Sequence, residues 1–305
     1  MKLKQLFTAA TVVIVMSSSA FAVDLPTGTA ADPLRVMMVP ADVGGGDVTQ
    51  DYKPVFDAIA KQYGVHFKLM SGESYAAVVK GLCGNQTDIA WYGPVTFGQA
   101  HEMCGAELLA LDVKKGQSVY YSGIFTKKGN GIDTVIDLKG RSLAVGDTSS
   151  TSSFNFPMAM IIDAGVDPVN DIAKVILAGS HTNSIAALKE GKVDAAAASF
   201  NSWEKAVNAN IIDPELFRVL VKSETIPNPP LAMNPNLSPE LKAKLRHAFS
   251  DIHNHVDPEI IRGYGAKKVD RYDTTYPQEK MLAALKKLSK VTDELKAELI
   301  DKAGK

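Results

Sequence analysis

The chain has 305 residues, 46% hydrophobic and 7% aromatic, with 33 basic against 34 acidic side chains. A balance this even lacks the basic excess of a nucleic-acid-binding protein. The length allows roughly two domains with a sizeable core.

The first residues read as an export signal. Lys2 and Lys4 precede the uncharged, mostly apolar stretch Leu6 to Met16, and Ala20-Phe21-Ala22 follows. The apolar run is too short to span a bilayer, so the pattern predicts a signal peptide over 1–22 with cleavage after Ala22. Cleavage removes Lys2 and Lys4 and leaves 31 basic against 34 acidic residues, a net charge of −3. The two cysteines, Cys83 and Cys104, are compatible with a disulfide in an oxidising compartment and equally with two buried thiols. Without a nearby histidine pair they do not make a zinc site.

In chain order, Leu34–Val39 reads as a buried strand stopped by Pro40, followed by the loop glycines Gly44, Gly45 and Gly46. Tyr52–Tyr63 has Val55, Phe56, Ile59 and Ala60 on one helical face, with Gly64 at its end. Val65–Leu69 reads as a strand, Ser74–Leu82 as a helix, Asp88–Trp91 as a strand, and Pro94 opens another helix. Strands follow at Tyr120–Thr126, Ser142–Val145, Lys174–Leu177, Val193–Ala198 and Phe217–Val221, with helices at Phe154–Ala164 and Thr182–Glu190. Ile226–Pro230 is a rigid extended link, and helices are expected over Pro239–His253, Glu259–Gly263 and Gln278–Ala303. Alternation of strand and helix predicts an α/β fold around largely parallel sheets. One echo suggests two lobes of similar topology: Tyr75–Gly81 leads to Asp88-Ile89-Ala90, and Ser184–Gly191 leads to Val193-Asp194-Ala195.

Three strand-to-helix junctions carry candidate chemistry. Asp147-Thr148-Ser149-Ser150-Thr151-Ser152-Ser153 packs hydroxyls where a helix starts, so Ser150, Thr151 and Ser152 offer donors beside free amide hydrogens and a positive dipole end. Gly179-Ser180-His181-Thr182 adds an imidazole N–H at His181. Trp91-Tyr92-Gly93-Pro94 adds the Tyr92 hydroxyl. In open α/β sheets, ligands sit beyond the carboxyl ends of strands, where all three segments fall.

With those segments in their order and spacing, from about Leu34 to about Leu237, the chain resembles the PhnD-like family of phosphate-, phosphite- and phosphonate-binding periplasmic proteins. Thr87–Pro94, Asp137–Gly140, Ser150-Thr151-Ser152, Gly179-Ser180-His181 and Gly191–Ala195 carry the likeness. The resemblance implies a periplasmic binding protein of type II-like fold, with two α/β lobes, a ligand cleft and a two-strand hinge near Ser122–Phe125 and Lys222–Pro227. One lobe would comprise 34–123 and 226–305, with the C-terminal helices packed on it, and the other 124–225. It implies that Tyr92, Ser150, Thr151, Ser152 and His181 contact a small oxyanion. It also implies an acidic or amide group after the Val-Asp-Ala strand, for which Asn201 and Glu204 are candidates. Trp91, Phe97, Phe154 and Phe200 are candidates for an apolar wall. Where that family carries glycine after Ser-Thr-Ser, this chain has Ser153, and the Gly44–Gly46 loop does not align. The partner implied is an inner-membrane ABC permease, with an oxyanion sensor, arsenite included, serving a membrane histidine kinase as the alternative. No catalytic residue, cofactor or metal is expected. A hydrolase built on Ser150 or Ser152 with His181 and Asp194 lacks the Gly-x-Ser-x-Gly elbow. The histidines of Asp251–Asp257 suit a helix C-terminus better than a metal.

Overall fold

A computed structural model describes residues 25–43 and 48–304; the expected signal peptide and the Gly44–Gly46 loop lie outside the described residues. The chain first forms β1 (Leu34–Met38), α1 (Val48–Tyr63), β2 (Phe67–Ser71), α2 (Tyr75–Cys83), β3 (Ile89–Trp91), α3 (Pro94–Cys104) and β4 (Glu107–Val113). It continues through β5 (Val119–Tyr120), β6 (Ser122–Lys127), β7 (Ser142–Val145), α4 (Phe156–Asp163), β8 (Lys174–Leu177), α5 (His181–Lys189), β9 (Ala195–Ser199), α6 (Phe200–Asn208) and β10 (Phe217–Lys222). It ends with β11 (Ile226–Pro227), β12 (Leu231–Met233), α7 (Pro239–Asp251), β13 (Arg262–Gly263), β14 (Lys267–Lys268), β15 (Arg271–Asp273), α8 (Gln278–Leu285) and α9 (Asp293–Ala303).

Two sheets organise these elements, in the orders β15-β4-β12-β3-β1-β2 and β10-β6-β9-β7-β8. Each is built around one strand with parallel neighbours on both sides: β1 between β2 and β3, and β7 between β8 and β9. The sequence echo falls on matching register. Asp88, just before β3, accepts the backbone N–H of Arg35 at 2.8 Å, and Asp194, just before β9, accepts that of Ser142 at 2.9 Å. The match extends to the helices: Ser74 caps Ala77 N at the start of α2, and Ser180 caps Asn183 N at the start of α5. The four alanines of β9 are fully buried, and Ala196 and Ala198 share a core cluster with the stack of Phe125 on Trp203, centroids 3.9 Å apart.

The chain passes between the sheets on paired segments. β5 and β11 form an antiparallel ladder, Tyr120 opposite Ile226, and Ser122 and Ser223 exchange bonds beside it at 2.9 Å. The C-terminal helices divide between the sheets. α7 and α8 lie on first-sheet elements, whereas α9 packs on β8 of the second sheet, where Lys302 binds the carbonyls of Val169 and Ile172. The expected continuous helix Gln278–Ala303 is broken around Ser289–Thr292, because Thr292 caps a new helix at Leu295 N. Glu259–Gly263 is not helical: Gly263 belongs to β13, and β13 to β15 are short polar strands with nothing in their composition to set a period. Cys83 and Cys104 form a disulfide that joins the C-terminal ends of α2 and α3. His255 lies 2.8 Å from the Asp251 carboxylate at the end of α7.

Candidate functional site

The three junctions converge on one enclosed cavity. Val39, Ala41, Tyr75, Trp91 and Gly93 wall it from the first-sheet side, Ser150, Thr151, Ser152 and His181 from the second, and Tyr120, Pro229 and Tyr264 complete it. The room it leaves for the centre of a water-sized molecule is about 10 Å³, about that of one water and far below the roughly 300–1,000 Å³ of sites for drug-sized ligands. Among the described residues no lysine, arginine, aspartate or glutamate lines it.

Local sequence explains how the donors reach it. The serine-rich loop leaves β7 and enters a single wide turn, Thr151–Asn155, in which Asn155 N donates to Ser150 O at 3.0 Å. Wide turns of this kind recur at functional sites. Ser150 is the N-cap of the turn and accepts from Ser153 N. Thr151 and Ser152 are the first residues of the turn, and the turn supplies no carbonyl partner for their N–H groups. Two glycines make room. A Cβ on Gly146 would sit 2.0 Å from Ser153 Oγ, and one on Gly93 would sit 2.9 Å from Thr151 Oγ1. Gly146 therefore accommodates the serine that this chain carries after Ser-Thr-Ser, and Ser153 Oγ bonds Ser150 Oγ at 2.7 Å.

His181 opens α5, with its backbone N–H bound to Ala41 O, on the first-sheet side, at 2.8 Å. Ser199 N donates to its Nδ1 at 2.8 Å, and Nε2 lies 3.4 Å from Ser150 Oγ. A backbone N–H cannot accept, so Nδ1 carries a lone pair and Nε2 carries the proton. Burial pushes the imidazole pKa down to about 3, so the ring is a neutral donor. Burial also raises the pKa of Tyr75, Tyr120 and Tyr264, keeping these phenols protonated. The Tyr120 hydroxyl is buried with no hydrogen-bond partner among the described residues. The Ser152 and Thr151 hydroxyls stand close enough to oppose part of the effect of that burial.

The structure gathers Ser150, Thr151, Ser152 and His181 but leaves two expected residues outside. Tyr92 is fully buried behind the cavity and its hydroxyl donates to Val78 O at 3.1 Å, because it points into the packing of α2. Asn201 is held away by Lys267 Nζ on Oδ1 at 2.8 Å and by Tyr264 O on Nδ2 at 3.3 Å, while Glu204 pairs with Lys267 at 2.7 Å. Of the aromatic wall candidates, Trp91 lines the cavity and Phe97, Phe154 and Phe200 do not. Tyr75, Tyr120 and Tyr264 were not anticipated. Tyr75 follows an N-cap serine as His181 does, and Tyr264 lies between two glycines, and both patterns place a side chain where backbones approach closely. The hydrolase arrangement does not form: His181 Nε2 already bears hydrogen, and Asp194 is bound to Ser142 at 2.6 Å.

Beside this cavity lies a charged centre. Lys205 of α6 reaches Asp51 of α1 at 2.8 Å and Asp42 at 3.9 Å, with both carboxylates almost wholly buried. Burial pushes the Asp42 pKa up to about 6 against the attraction of Lys205.

Comparison with known proteins agrees with this architecture. Residues 38–276 match the family described as ABC transporter, phosphonate, periplasmic substrate-binding protein. The Phosphate-import protein PhnD of Mycolicibacterium smegmatis is 27% identical over 263 residues, 81% of each chain. The Phosphonates-binding periplasmic protein of Escherichia coli is 27% identical over 203 residues, 65% of this chain and 60% of its own length. Among solved structures, a binding protein component of an ABC phosphonate transporter from Pseudomonas aeruginosa superposes with a TM-score of 0.71 at 21% identity, covering 91% of this chain and 99% of that one. PhnD1 from Prochlorococcus marinus, in complex with methylphosphonate, gives 0.70 at 18% identity over 84% of this chain and 98% of that one. These likenesses establish the type II periplasmic binding fold, and the match over most of its length shows that the chain belongs to the family of phosphonate-type periplasmic substrate-binding proteins of ABC transporters.

Proposed function

We propose that the protein is the exported binding component of an ABC importer and holds a small phosphorus oxyanion, of the phosphonate or phosphite class, in the cavity between its two sheets. The observation that carries this reading is a buried cavity rimmed by neutral donors, with a helical turn starting at Thr151 and no formal charge in its lining among the described residues. Hydroxyl and amide dipoles fixed at such a point hold an anion without a counter-ion. Val39, Ala41, Trp91 and Pro229 supply apolar surface for a P–H or P–C group.

In this reading the lobes are the two sheets with their helices, and the ligand joins them. Tyr75 grips from the first lobe, Ser150, Thr151, Ser152 and His181 from the second. Flexure at the β5/β11 crossing opens and closes the cleft. A signal peptide over 1–22 delivers the chain to the periplasm, and the closed form is what an inner-membrane permease receives.

Thermal-shift and calorimetric titrations with methylphosphonate, phosphite and inorganic phosphate test the proposal. A ligand in hundredfold excess over its Kd stabilises the native state by about 2.7 kcal/mol. If none of these anions raises the melting temperature or gives binding heat, the oxyanion assignment fails.

A further inference from the structure

Tyr264, Gly265 and Ala266 form the turn of the β13–β14 hairpin, between the paired residues Gly263 and Lys267. Gly265 and Ala266 both have positive φ, +79° and +56°. A left-handed alanine persists only where its surroundings over-determine it, and this turn is held on two flanks.

On the first flank stand two buried carboxylates. Asp51 of α1 accepts Gly265 N at 2.9 Å, and Asp112 of β4 accepts Tyr264 N at 3.3 Å. β15, which follows the hairpin, is an edge strand of the first sheet, so the hairpin is rooted on that side.

On the second flank lies α6, which leaves β9 of the other sheet. The Tyr264 hydroxyl lies 2.9 Å from Ser199 Oγ and 2.6 Å from Ser202 Oγ, and Tyr264 O accepts Asn201 Nδ2 at 3.3 Å. Lys267 Nζ reaches Asn201 Oδ1 at 2.8 Å and Glu204 at 2.7 Å. A Cβ on Gly265 would sit 3.1 Å from Asn201 O, so turn and helix meet backbone to backbone. Asp51 joins both flanks, since its other oxygen accepts Lys205 Nζ of α6 at 2.8 Å. Ser199 also donates its N–H to the His181 ring, so the same contact leads to a cavity donor.

We infer that this hairpin is a clasp: it fastens the first-sheet side to α6, and Lys267 governs how long a bound anion is retained, not how fast it enters. The inference rests on the reading above, in which the sheets swing apart about the β5/β11 crossing. Release then has to part Tyr264 and Lys267 from α6, whereas entry precedes their contact. Lys267 does not line the cavity, so its effect on the ligand travels through the clasp.

The test is stopped-flow mixing of the full chain with methylphosphonate, followed by the fluorescence of Trp91 in the cavity wall. Lys267→Met should raise the dissociation rate about three- to tenfold and change the association rate by less than about twofold. Lys267→Arg keeps the cation and should restore most of the native retention. An unchanged dissociation rate in Lys267→Met overturns the inference, whatever that variant loses in chemical denaturation. So does an equal rise in Lys267→Arg, or a loss of affinity carried by slower association. Failure of methylphosphonate to bind the native chain strikes the oxyanion reading instead. The clasp is then decided by amide exchange in α6 of the full chain, which should quicken about three- to tenfold in Lys267→Met; unchanged exchange overturns it.

Discussion

Two polar centres lie side by side between the sheets and solve burial in opposite ways. The polar groups that line the cavity around Ser150 and His181 are neutral among the described residues, whereas Asp42, Asp51 and Lys205 form a cluster of formal charges. Neutral donors lose little when buried if each has a partner, and they favour an anion by geometry. Buried charges are costly unless paired, and here the pairing joins α6 to α1. The difference separates two tasks. Under the proposed function the dipoles would choose what binds, and the charges would favour the arrangement in which they meet.

That division can be broken by mutation. Replacing Ser150, Thr151 and Ser152 together by Ala, Val and Ala removes three bonds to a charged oxygen at roughly 1.5–3 kcal/mol each, so affinity should fall about a thousandfold or more. Calorimetry with methylphosphonate measures this, and an unchanged Kd would mean that the dipoles do not choose the ligand.

Lys205→Met should act on stability first. It strands two buried carboxylates and should cost about 3 kcal/mol near neutral pH. Because Asp42 titrates near 6, the loss should shrink as the solution is acidified below that value. Chemical denaturation at two pH values reads this directly, and a loss independent of pH would dissociate the cluster from the cost.

His181 and the buried acids should pull stability in opposite directions. With a folded pKa of about 3 against an ordinary 6.5, His181 favours the native state above 6.5, and that contribution drains away as pH falls toward 3. Asp42 and Asp112, raised to about 6, favour the native state at low pH, and their contribution is lost as pH rises through 6. His181→Gln removes the first effect alone. Its deficit relative to the native chain should therefore narrow between pH 7 and about pH 4.5, by about 2–3 kcal/mol at about 1.4 kcal/mol per unit. Thermal melts at both pH values measure it, and a constant deficit would contradict the neutral-donor assignment. The smallest effect is expected for Tyr92→Phe, which deletes one bond to Val78 O. It should cost about 1 kcal/mol of stability and leave oxyanion affinity unchanged; a weakened Kd would return Tyr92 to the site.

Much of the scaffold was legible because its strands have clear punctuation. Ser142–Val145 and Lys174–Leu177 form where expected, between turn residues and charges. That the Ser-Thr-Ser stretch and His181 lie together was legible because each stands between a strand end and a helix start, where such segments gather. β4 was passed over although six of its seven residues are buried, since a fully buried run has no alternation to betray it. The short strands from Arg262 to Asp273 were missed for the opposite reason, as polar segments whose pairing is set by tertiary contact. Tyr264 was lost with them. Tyr92 was misplaced because a strand end fixes where a residue lies but not which way its ring turns, and here the ring points toward Val78.

The placement of Tyr120 has a mechanical consequence. It belongs to one of the two strands by which the chain passes between sheets, yet its hydroxyl reaches the cavity. In a rigid swing, parts near the axle travel least and those on the arms travel farthest. If the sheets swing apart about this crossing, as proposed above, Tyr120 would stay in place while Tyr75 and His181 move in from either side. Under that proposal a solute would be tethered there before it is enclosed, so that capture would take two events instead of one collision.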